Sequence, residues 1–144
     1  MKRDMDLIRK ILLDLESRTP NLDDDRLGYD VTKVSSELGA SEQELQYHLV
    51  LLFEAEYIDG FALRGLSHKS GKAMTLDSEY AWLAIPHHIT WAGHEFLEAI
   101  RDEEVWAKTK GAAKKIGSFS VETLKELGKG FIKKQVKDYT GVDF

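Results

Sequence analysis

Five histidines, a scatter of acids and no cysteine define the side-chain chemistry open to this 144-residue chain. The densest run of candidate ligands is His87-His88, followed by His94-Glu95 and Glu98. His94 and Glu98 stand four residues apart and would share one face of a helix, where an imidazole and a carboxylate make half of a zinc site. The His-Glu-x-x-His pattern, which supplies two imidazoles and a general base, is missing, so packed or surface histidines account for these residues. No metal and no other cofactor is expected. Serines, histidines and acids are present, but none stands in a nucleophile elbow, a phosphate loop or a carboxylate pair. The expectation is a binding protein rather than an enzyme.

Three groups of residues could do the binding. Ser41, Gln43, Gln46 and Tyr47 lie along one segment of helical pattern. There the glutamine amides could pair with adenine, Tyr47 could reach a phosphate, and Ser41 could contact a phosphate oxygen at the helix start. Arg64, His68, Lys69 and Lys72 fall in a loop, 64–75, that holds Gly65 and Gly71 and no acid. Such a loop could meet the backbone or minor groove of DNA, or be ordinary solvated chain. Near the C-terminus Lys125, Lys129, Lys133 and Lys137 recur at four-residue steps. They read as the wet face of a packed helix, as a contact for nucleic acid or an acidic partner, or as a surface for anionic membrane. Against DNA stand Glu42 and Glu44, which repel phosphate, although Glu44 also completes a capping box with Ser41.

The elements that must position these groups follow from periodicity and punctuation. Met5, Ile8, Leu12 and Leu15, flanked by Leu7 and Ile11, give a first helix that stops near Arg18-Thr19-Pro20, after which Asn21 to Gly28 is an acidic linker. Asp30 caps a short helix with Val31, Val34 and Leu38 inward, and Gly39 ends it. Only Ala40 intervenes before Ser41 opens the next helix, with Leu45, Leu49, Leu52 and Ala55 as its buried stripe and Gln43, Gln46, Tyr47, Val50 and Glu54 opposite. Strands are expected at 57–63 and 80–85, forming a wing, and Thr90 caps a helix with Phe96, Leu97 and Ile100 as core contacts. Helix continues from Asp102 to Ile116, unbroken or restarted at Asp102, with Val105, Trp106, Thr109 and Ala113 on one side. After a break at 117–120 the last helix, Val121 to about Tyr139, carries Leu124, Leu127, Phe131, Ile132, Val136 and Tyr139 along one side. Gly128 and Gly130 each cost that helix roughly 1 kcal/mol relative to alanine, so it should need a packing partner. Leu124, Leu127, Phe131 and Val136 are therefore the expected interface of a homodimer. The fold class that results is mainly α with a small β-hairpin: a winged helix-turn-helix over 1–101 and a C-terminal helical extension over 102–144.

Charge divides the chain in a similar way. Residues 1–107 hold 11 Lys and Arg against 21 Asp and Glu, whereas residues 108–144 hold nine Lys against four acids. The tail could fold back on its own acidic body or meet an external polyanion. The absence of cysteine, of a secretory signal pattern at Met1-Lys2-Arg3-Asp4-Met5-Asp6 and of a membrane-spanning apolar run fits a soluble cytoplasmic protein without a membrane partner.

Three ordered segments carry a family resemblance. Met1 to Leu13 (MKRDMDLIRKILL), Tyr47 to Ala55 (YHLVLLFEA) and Ile89 to Leu97 (ITWAGHEFL), the last followed by Ala99-Ile100-Arg101-Asp102 and Trp106, resemble a family of bacterial and prophage proteins known as domain of unknown function 2513. The resemblance implies a winged-helix-like core with a helical tail and brings no catalytic residue. One departure is visible. Winged helices with a Tyr-His-Leu helix often place glycine after Glu-Ala, whereas this chain has Glu56-Tyr57, so the helix end and the start of the wing are expected to differ. Two functions follow as expectations: a winged-helix DNA-binding regulator or accessory protein, or a winged-helix module that docks on another protein, a host protein in a prophage setting.

Overall fold

A computed structural model describes residues 1–20, 28–64 and 82–142. In chain order the elements are α1 (Met5–Ser17), α2 (Val31–Leu38), α3 (Glu42–Glu54), β1 (Ile58–Arg64), β2 (Trp82–Ile89), α4 (Trp91–Ile100), α5 (Glu103–Ile116) and α6 (Val121–Thr140). The protein is mainly helical with one two-stranded antiparallel hairpin. The acidic linker 21–27 lies outside the described residues.

Helix starts follow their caps. Asp4, Asp30, Ser41, Asp102 and Ser120 each accept a backbone N–H of the first turn through a side-chain oxygen. The helical pattern after Arg101 is therefore restarted at Asp102 and not continuous. Gly39, Gly117 and Gly141 close α2, α5 and α6 in the left-handed conformation.

The chain forms two compact units, Met1–Gly93 and His94–Phe144, whereas the sequence pattern places the division after Arg101. In the first unit α1, α2 and α3 pack together, and α3 also packs against both strands. Its core holds Ile8, Ile11, Leu12, Val34, Leu45, Leu49, Leu52 and Ile58. Arg18 lies over the Tyr29 ring at 5.2 Å while its guanidinium bridges to Asp14 at 2.9 Å. Burial, reinforced by the Asp14 charge, pushes the Tyr29 phenol up from its ordinary range. Strand β1 pairs with β2 from Ile58↔Ile89 to Arg64↔Trp82, with a bulge between Asp59 and Gly60. The return strand runs to Ile89, beyond the Ile85 end expected from sequence, because Pro86 is accommodated at that bulge opposite Gly60.

The two ends of the hairpin meet the neighbouring helices at one residue. Thr90 donates its N–H to the Tyr57 carbonyl at 3.0 Å and its hydroxyl to the Glu56 carbonyl at 2.6 Å, and the same hydroxyl accepts the Gly93 N–H at 3.1 Å. It caps α4 as expected and also ties the exit of α3 to the exit of β2. Gly93 is needed there, because a Cβ would overlap the Tyr57 carbonyl oxygen.

In the second unit α5 packs against α6. Val105, Trp106, Thr109 and Ala113, the side of α5 read from sequence, are all buried. Leu124, expected at a dimer interface, is fully buried within its own chain. Gly128 has a positive reason to be glycine, since a Cβ there would overlap the Ala99 carbonyl oxygen, so α6 comes against the end of α4 at backbone distance. The packing partner that α6 requires is supplied at least in part by its own chain. Gly130 faces open space.

Two expectations follow. Gly128→Ala should destabilise by about 2 kcal/mol or more through overpacking, whereas Gly130→Ala should stabilise by up to about 1 kcal/mol through helix propensity. Thr90→Val should cost about 1–2 kcal/mol, because a capping hydroxyl is lost and the Glu56 carbonyl loses its donor. Urea unfolding of the three variants measures all of these, and equal effects of the two glycine changes would contradict the packing described.

Candidate nucleic-acid interface

Helix α3 would be the recognition element of a helix-turn-helix, and its surroundings decide which of its side chains are free to recognise anything. The approach to it is abrupt. Gly39, at φ 70°, ends α2, with the Ala40 N–H on the Ser35 carbonyl at 3.0 Å and the Gly39 N–H on the Ser36 carbonyl at 3.3 Å. The next residue, Ser41, caps α3 by accepting the Glu44 N–H at 3.0 Å. The sequence signal for this turn was complete because every bond in it is local.

Three polar ties, two of them to distant segments and one a local helix stop, then fix α3. The first is His48, which is 1% exposed. Its Nδ1–H donates to the Glu44 carbonyl at 2.7 Å, and its Nε2 accepts the Asp4 N–H at 2.8 Å. That pattern requires the neutral Nδ1–H tautomer and fastens the start of α1 to the middle of α3. His48 thus serves packing, and Tyr47, in edge contact with the His48 ring at 5.6 Å, stays 37% exposed. The second tie is Gln46, whose Oε1 accepts the Ala84 N–H of β2 at 2.9 Å. That bond engages the amide oxygen that paired recognition of adenine would also use. Val50, one turn on, is buried, which corrects its place on the ligand side: with half-buried Gln46 it makes a second inward stripe on α3.

The third tie is the helix end. Ala55 is an exposed C-cap and not part of the buried stripe. Glu56 takes the left-handed conformation at φ 62°, its N–H bonds the Phe53 carbonyl at 3.0 Å, and the Tyr57 N–H bonds the Leu52 carbonyl at 3.0 Å. These are the paired bonds of a glycine-type helix stop, made here by glutamate. The departure noted at Glu56-Tyr57 therefore leaves the stop in place and adds strain to it.

What remains exposed on α3 is Ser41, Glu42, Gln43, Glu44, Tyr47 and Glu54. On α2 the exposed residues include Thr32, Lys33, Ser36 and Glu37. Lys33 is the one Lys or Arg in either helix, and sequence reading passed over it because a single lysine has no pattern. The face can thus hydrogen-bond a base edge through Gln43 and a phosphate through Tyr47, Ser41 or Lys33, but its carboxylates oppose phosphate. The loop residues His68, Lys69 and Lys72 lie outside the described residues, and of Arg64 only the backbone, opposite Trp82, is described.

The other sequence candidates lie in the second unit. Leu127, Phe131 and Val136, named with Leu124 as a dimer face, are half-buried. Lys125 is half-buried, whereas Lys129, Lys133 and Lys137 are exposed. His94 and Glu98 are exposed, and the Glu98 carboxylate takes Arg101 at 2.5 Å. Among the described residues no group of three or more His, Asp or Glu could hold a metal ion, and no helix is long and apolar enough to cross a membrane.

Glu56→Gly should raise stability by about 0.5–1 kcal/mol, since it removes the left-handed penalty and keeps both backbone bonds. Thermal and urea unfolding would show it, and a loss of stability would mean that the Glu56 side chain makes a contact worth more than the strain.

The model of a family described as "Hypothetical protein (DUF2513)" matches residues 2–120. An uncharacterized protein of Haemophilus influenzae is 32% identical over 137 residues, covering 92% of this chain and 96% of that protein. Such coverage cannot fit within residues 1–120, so the similarity reaches into α6. No solved structure matches.

Proposed function

The chain belongs to the DUF2513 family, and we propose that it is a non-enzymatic, cytoplasmic winged-helix protein that binds DNA as a regulator or accessory factor. The observation that carries this reading is the presentation of the first turns of α3. The turn from α2 is tight, Gln43 and Tyr47 are exposed, and α3 is held at Asp4, Ala84 and Thr90 by hydrogen bonds, so the exposed turns sit on a rigid mount. A mount of this kind holds a few side chains in the fixed geometry that reading a base edge requires. In this mechanism Gln43 contacts a base, Tyr47, Ser41 and Lys33 contact phosphate, and the effect on transcription or on another DNA transaction comes from occupancy.

A second reading has its own support. Glu37, Glu42, Glu44 and Glu54 are exposed on α2 and α3 against the single Lys33, a balance that suits a basic protein partner better than a phosphate backbone.

Selection of a motif from a random duplex pool by the full-length protein, with salt varied and oligomeric state recorded, separates the two. Enrichment of a shared motif, weakened by rising salt, supports DNA reading, and paired half-sites would indicate a dimer. Gln43→Ala should then relax preference at one position by about 1–3 kcal/mol. No binding at low salt would overturn the DNA reading and favour the acidic-face reading, under which Glu42→Lys with Glu44→Lys abolishes partner binding.

A further inference from the structure

The outward side of α6 carries four exposed lysines, Lys129, Lys133, Lys134 and Lys137, more than any other helix described. Leu124 and Gly128 face inward, and the residues exposed over the rest of the helix include Glu122, Glu126, Lys129, Gly130, Lys133, Lys134 and Lys137. From Lys129 to Lys137 the exposed residues are Lys129, Gly130, Lys133, Lys134, Gln135 and Lys137, with Phe131, Ile132 and Val136 half-buried beside them and Asp138 and Tyr139 exposed beyond. Lys129, Lys133 and Lys134 make no ion pair among the described residues. Compensation of the helix dipole accounts for a lysine in the last turn, such as Lys137, but that effect fades within one turn and leaves the other three unexplained.

We infer that the Lys129–Lys133–Lys134 side of α6 is a contact surface for the sugar-phosphate backbone of nucleic acid, independent of whatever α3 reads. The chemistry of the face selects this partner. An interfacial membrane helix must expose apolar side chains beside its cations, whereas the residues exposed from Lys129 to Lys137 are Lys, Gly and Gln, and Phe131, Ile132 and Val136 are already half-buried within their own chain. A protein interface places aromatic or aliphatic anchors at its centre, and none stands among the residues exposed from Lys129 to Lys137. A phosphate backbone asks only for cations, because each neutralised phosphate releases condensed counterions. Gly130, with nothing near its Cβ position, adds no side chain between Lys133 and Lys134 around the helix. The inference also supplies what α3 lacks: affinity without sequence preference.

The test compares the full-length protein with the Lys129→Gln, Lys133→Gln, Lys134→Gln triple variant, using short mixed-sequence duplexes across a salt series. Circular dichroism checks that helix content is retained. The expected result is a loss of roughly tenfold or more in affinity near 0.1 M salt, equal for all sequences, with the log–log salt slope shallower by about 2–3. Unchanged affinity and slope in the variant would overturn the inference, as would a parent protein that binds anionic phospholipid vesicles but no duplex at low salt. Failure of the α3 reading looks different: no motif would be enriched, and Gln43→Ala would be silent, while the triple variant still lost binding.

Discussion

Backbone hydrogen bonding at the end of α3 is the constraint from which the rest of the first unit follows. The chain must leave the helix, start a strand and later return beside the same point, and each backbone bond lost there would cost on the order of 1 kcal/mol. Glu56 turns the chain in the left-handed conformation so that α3 closes its own carbonyls, and Thr90 then takes the carbonyls of Glu56 and Tyr57. The same threonine starts α4. One polar residue thus sets where α3 ends, where the hairpin begins and where the next helix departs. Gly93 keeps the space in which that can happen.

With its end fixed, α3 is oriented by two further bonds of the same type, each joining a side chain to a backbone N–H far away in sequence. His48 holds Asp4 and Gln46 holds Ala84. Both bonds are directional, whereas the leucines around them are not, so the apolar core supplies the bulk of the burial and the polar pair sets the rotation of the helix. That rotation brings Gln43 and Tyr47 to the surface and takes Gln46 and Val50 from it. The function proposed for this unit rests on which side of α3 is left over after its structural obligations are met.

The second unit solves a different problem with the same economy. A helix of mean lysine-rich composition and two glycines is weak alone, and α6 is secured by Leu124 and by Gly128 lying on the Ala99 carbonyl. Close packing on one side frees the other from any structural duty, and that freed side is where the lysines stand. The two units thus expose surfaces of opposite character, acidic on α2 and α3 and basic on α6. A single chain can offer directional recognition from one and salt-dependent affinity from the other.

The sequence by itself determined the elements and their caps. Asp30, Gly39, Ser41, Asp102 and Gly117 act on bonds within a few residues of themselves, so their roles could be read without knowing what lies across the fold. The buried side of α5 was legible for the same reason, since helical period alone aligns Val105, Trp106, Thr109 and Ala113. Tertiary structure alone decided the duties of His48, Gln46, Val50, Leu124 and Gly128. His48 depends on Asp4, Gln46 on Ala84 and Gly128 on Ala99, each an atom from a distant segment, while the burial of Val50 and Leu124 comes from packing that local pattern does not record. Helical period marks which positions share a side, but α3 is buried on two sides, and no local pattern records a second neighbour. The outward residues of α3 could therefore be named as candidates from the sequence, while which of them stay free was settled only when the hairpin came to lie against the helix.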